Sequence, residues 1–230
     1  MAFSLVRNRR LTFVLAAIGA TAFSSCVGAG EGTIAGTVNV PVCELSGAYD
    51  LHPNFFGANR EGTDFWVRIQ NGGGQAEYSD ELWVGVDDTD QVVQALANST
   101  ERDPSGNPVV TLPVGPRGTP GVIVHATLTL DWSCGRRKAS RLGVNVGLWA
   151  YQGTMTFRSI DQGPDVPATT ATPDPRLTEV TAMHLMLHDP RPVGPNAPHN
   201  VPAATPVGDA EMTGNFRFHY SRQVPAQFFP

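Results

Sequence analysis

Asp80, Glu81, Asp87, Asp88 and Asp90 crowd the two ends of one short apolar run, and carboxylate oxygens at that density are the donors that hold Ca²⁺. Asp88-Thr89-Asp90 opens as a calcium loop does, which makes Asp87, Asp88 and Asp90 the candidate ligands. Val92 takes the place of the third donor, however, and no glycine or closing glutamate follows in register. A solvated acidic turn accounts for the same residues. Trp66, Trp83, Trp132, Trp149 and Tyr151 offer a different chemistry: flat apolar rings on which a sugar or a peptide can stack if several share one face. Trp66 and Trp83 are the candidate ligand-binding pair, because each lies opposite the aliphatic side of its strand and the two strands are expected to pair. The alternative is that such rings pack into a second buried face.

Catalytic arrangements fare less well. His184 and His188 are four residues apart in a strand-like alternation, which sets them roughly 13 Å apart along one face, too far to chelate one ion. No His-Glu-x-x-His, Gly-x-Ser-x-Gly or Ser-x-x-Lys occurs. Asn71-Gly-Gly-Gly74 is not followed by the Lys-Ser/Thr of a phosphate loop. No catalytic residue is assigned from sequence. Triads are assembled in space, so a hydrolase stays an alternative.

The N-terminus carries a sharper signal. Arg7, Arg9 and Arg10 precede an apolar run, Leu11 to Phe23, that ends in Ser24-Ser25-Cys26. That run is about 13 residues long against roughly 20 for a membrane span, so it reads as the core of an export signal rather than a transmembrane helix. Phe23-Ser-Ser-Cys26 resembles the lipobox of bacterial lipoproteins, with Phe23 where leucine is commonest. The resemblance covers only the first 26 residues. It implies removal of residues 1–25 and acylation of Cys26, which would fix the chain to a membrane, since two or more acyl chains hold where one binds marginally. Similarity to enterobacterial lipoproteins adds that Val27, rather than aspartate, after the cysteine favours the outer membrane over the inner. An ordinary secretory signal cut near Cys26 is the competing reading. Beyond the lipobox the chain resembles no named domain family.

Cleavage there would remove three arginines and no acid from 16 basic and 21 acidic residues, taking the net charge from −5 to −8. Such a surface disfavours nucleic acid and direct adhesion to anionic lipid. With Cys26 acylated, Cys43 and Cys134 remain, and an even pair in an exported chain most simply forms one disulfide. Two buried free thiols are the alternative.

Short runs punctuated by 24 glycines and 19 prolines, without a long helical period, predict an all-β mature chain of about eight strands. The runs read as strands are 33–40, 64–70, 81–86, 122–130, 142–150, 153–160, 177–188 and 211–220. Residues 64–70 and 81–86 read as a hairpin with a long loop, and 91–97 as either a short strand or a helical turn. The expected plan is a signal peptide (1–25), a short anchor linker (26–32) and one antiparallel β-sandwich-like domain (33–230), with Pro-rich loops over 161–209 around one strand. The function expected of it is non-catalytic, binding or structural, with an envelope protein or glycan as partner. A calcium-dependent glycan-binding module and an anchored hydrolase are the alternatives.

Overall fold

The computed structural model describes residues 30–72, 79–135, 146–163, 174–189 and 208–222. Cys26, the signal segment, the basic turn Arg136-Arg137-Lys138 and most of the Pro-rich loops lie outside the described residues. The chain is all-β, as its composition predicts. Ten strands run in order: β1 (Gly30–Val40), β2 (Leu45–Asp50), β3 (Phe55–Glu61), β4 (Asp64–Gly72), β5 (Ser79–Val86), β6 (Val110–Val114), β7 (Val124–Leu130), β8 (Gly147–Gln162), β9 (Pro175–His188) and β10 (Asp209–Ser221). Among the described residues two α-helices interrupt them, α1 (Thr89–Asn98) and α2 (Asp131–Gly135), and a single 3-10 turn, Pro41–Cys43, follows β1.

Hydrogen bonds join all ten strands into one sheet, ordered β2-β1-β10-β9-β8-β6-β7-β5-β4-β3, where the sequence suggested two packed layers. Every pairing is antiparallel except a single Val114–Val124 contact between β6 and β7. The sheet curls so that its β3 end returns to β10. Phe56 stacks against Phe218 with centroids 5.8 Å apart, and Phe65 meets Tyr220 at 5.7 Å. The alternation seen in the sequence decides which side faces in. Phe65, Val67 and Ile69 of β4, Leu82, Val84 and Val86 of β5, and Phe216, Phe218 and Tyr220 of β10 are all buried in one continuous core.

Several boundaries differ from the expected ones. β1 begins at Gly30, so the end of the expected linker is already strand. Residues 147–162 form one strand, not two, because β8 carries bulges, including one at Ala150/Gln152, that let it bend and pair with β7, β6 and β9 in turn. Residues 91–97 belong to a helix: the Asp88 carboxylate caps it by accepting from the Gln91 amide at 2.9 Å, and Val92 and Leu96, four apart, are buried.

Cys43 and Cys134 form the disulfide, with Cα atoms 4.9 Å apart and both residues fully buried. It ties the turn after β1 to α2, beside a buried polar cluster. There Asp80 accepts from the Tyr49 hydroxyl at 2.9 Å, the Ser133 amide at 2.9 Å and the Ser133 hydroxyl.

Candidate binding face

The core-facing side of β4, β5 and β7 is largely apolar, so the opposite side carries whatever these strands present outward. Trp66 stands directly across from Gly85, which stands across from His125. A Cβ on Gly85 would collide with the His125 ring and come within 2.6 Å of the Trp66 indole. Its absence lets the two rings meet edge to face, 5.1 Å apart at 75°. Arg117, from the loop between β6 and β7, lies 5.3 Å from the Trp66 ring centre and pairs with Asp64 at 3.2 Å and Asp87 at 3.1 Å. Burial holds the His125 imidazole below its ordinary range, against the pull of Asp87.

One row along, Trp83 is engaged as well. Arg68 sits 5.1 Å over its ring, and its indole N–H donates to Glu81 Oε1 at 2.5 Å. Glu81 is buried and also accepts from Arg68 Nε at 2.6 Å and Gln70 Nε2 at 2.9 Å. Nearby, burial together with the charges of Glu81 and Asp80 pushes the Asp131 carboxyl up to about 6, with Arg68 opposing. Trp66 and Trp83 thus share one face, as the sequence suggested, but each is half-buried beneath an arginine.

Among the described residues, the open rings are Trp149, 54% exposed, and Tyr151, 39% exposed. Trp149 is opposed by Thr127 on one side and His188 on the other. A Cβ at Gly147 would lie 3.6 Å from the Trp149 indole nitrogen and about as near Cδ1, so the indole extends along β8 over a residue with no side chain. Tyr151 is the extra residue of the bulge between Ala150 and Gln152, and that bulge turns it onto His188, with ring centres 4.6 Å apart and planes within 13°. These two aromatic residues were in the sequence's roll of rings. Their openness was not legible, because it depends on which arginine reaches which ring.

A continuous row of directly opposed residues results: Arg68, Trp83, Thr127, Trp149, His188, Asp209 and Asn39, contributed by β4, β5, β7, β8, β9, β10 and β1. Asn39 donates to Asp209 at 3.3 Å. The other exposed histidine of β9, His184, lies 2.8 Å from Glu211 instead.

The three candidate calcium ligands are spent separately. Asp87 pairs with Arg117, Asp88 caps α1, and Asp90 pairs with Arg60 at 2.8 Å. Among the described residues, no three His, Cys, Asp or Glu side chains gather as a metal site would require. A groove of about 530 Å³ lies toward the other end of β1, lined by Glu31, Thr33, Glu179, Asn215 and Arg217 among others. Its Glu179 is paired with Arg217 of the same lining at 3.6 Å and with Arg158, outside the lining, at 3.1 Å. Compared with known proteins, the chain matches no family model, no curated protein and no solved structure.

Proposed function

We propose that this chain is a lipid-anchored protein of a bacterial cell envelope, at the outer membrane, whose exported β domain works by binding rather than by catalysis. The Phe23-Ser-Ser-Cys26 sequence supports the anchor. The Cys43–Cys134 disulfide supports an oxidising compartment and leaves Cys26 as the remaining cysteine. The observation that carries the binding role is the pair of open aromatic rings, Trp149 and Tyr151, on the outward sheet face, where Trp66 and Trp83 are covered by arginines. Large rings left in water on a structured surface are characteristic of recognition sites.

The buried carboxylates, by contrast, are committed to structure: Asp80 to Tyr49 and Ser133, Glu81 to Arg68 and Trp83, Asp161 to Arg60 and Arg222. That commitment favours a binder over a hydrolase. Two measurements test the reading. Labelled palmitate should enter the wild-type chain and not Cys26→Ala; continued labelling would refute the anchor. Purified Cys26→Ala protein should still sediment with isolated envelopes, and adding Trp149→Ala and Tyr151→Ala to it should abolish that association.

A further inference from the structure

We infer that the outer row from Trp149 to Asp209, with Tyr151 beside it, is a stacking site for a neutral, linear glycan. The inference rests on the binding role proposed above and names its ligand. Neighbouring strands stand about 4.8 Å apart, so the row from Trp149 on β8 through His188 to Asp209 on β10 runs about 10 Å. That is the length of a disaccharide. Thr127 continues the row on the other side of Trp149, toward the arginine-covered Trp83, and Trp149 lies over Gly147 with its ring open. Beyond Trp149 the row offers Tyr151 stacked on His188, then the carboxylate of Asp209 and the amide of Asn39. A pyranose ring has an apolar C–H face and a rim of hydroxyl groups; rings alternating with hydroxyl, imidazole, carboxylate and amide match both.

Other occupants fit less well. An acidic chain, and Asp209 within the row, repel polyanions. A protein hot spot needs a desolvated apolar centre, whereas the outward positions near the row are Gln70, His125, Thr127, Thr129 and Gln152, with Met186 the aliphatic exception.

The test uses the full chain in phospholipid nanodiscs, titrated with N-acetylglucosamine tetramer and with cellotetraose by calorimetry and tryptophan fluorescence. Saturable binding of either probe is expected, weakened at least tenfold by Trp149→Ala and by Tyr151→Ala, with Trp149→Phe intermediate and all melting temperatures within a few degrees of wild type. Binding that survives Trp149→Ala would overturn the assignment of the site. Failure of both tetramers to bind at millimolar concentration would overturn the ligand class. In that case sedimentation with isolated envelopes that still depends on Trp149 and Tyr151 would leave the broader binding role standing, and its loss would remove both.

Discussion

Asp131 shows how a single side chain records its surroundings. Its carboxyl is pushed up to about 6 by burial first and then by the charges of Glu81 and Asp80. A carboxyl whose folded pKa exceeds its unfolded value binds more protons in the folded state between the two, so stability falls as pH rises through that window. Ionised Asp131 is therefore a cost at neutral pH. Asp131→Asn should raise stability at pH 7 by about 1 kcal/mol, after discounting the shift for partial solvent exposure. It should also flatten the decline between about pH 4 and 6, read from urea midpoints across that range. An unchanged pH profile would mean that neither burial nor the neighbouring acids act on this group. Asp131 escapes a sequence reading because Glu81 and Asp80 are 50 and 51 residues away in the chain and meet it only through the β5–β7 register.

At the scale of elements, legibility follows the number of residues an element buries. β4 and β10 alternate cleanly over several positions and are read correctly from the sequence, down to which face is buried. β2 buries only Leu45 and Tyr49, β3 contains Gly57 and Asn59, and β6 is five residues long with a proline, so pairing rather than local pattern makes them strands. For the same reason the tryptophans were legible as a shared face but not as open or closed: Arg117 and Arg68 reach them from a loop and a neighbouring strand. The disulfide was legible because it needed only counting. It joins elements that hold few hydrogen bonds of their own, the turn after β1 and the short α2, across 91 residues. On the chain-entropy view, closing that loop stabilises the fold by about 4–5 kcal/mol. The double variant Cys43→Ser with Cys134→Ser should lose about 2–5 kcal/mol, seen as a lower melting temperature in non-reducing buffer. A melting temperature equal to wild type would mean that the Asp80–Tyr49–Ser133 cluster alone secures this corner.

For the whole molecule the decisive feature is closure, because a ten-stranded sheet left open would expose the Phe56 and Phe218 faces to water. Asp161, with a fully buried side chain at the end of β8, draws the seam together. Arg60 of β3 donates to it at 2.5 Å, Arg222 just beyond β10 donates at 2.9 Å through Nε and again through Nη2, and the Tyr220 hydroxyl donates as well. Three separate parts of the chain, β3, β8 and the end of β10, thus meet at one carboxylate, and Arg60 ties in a fourth by also reaching Asp90 of α1. Burial works to raise the Asp161 carboxyl, but the hydrogen bonds from Arg222, Tyr220 and Arg60 outweigh it and hold the group below its ordinary range. The sign is the reverse of Asp131: this stabilisation is present above about pH 4 and is lost as pH falls through the folded-state value. Asp161→Asn keeps the size of the side chain but leaves two partly buried guanidinium groups facing each other without their shared anion. It should cost about 3–5 kcal/mol, the range for breaking a buried ion pair from one side, and should remove part of the acid-side loss of stability that the wild type shows below about pH 4. Urea unfolding at pH 7 and at pH 3 separates the two effects. A cost equal at both pH values would mean that the seam is held by the stacked rings and not by the charge.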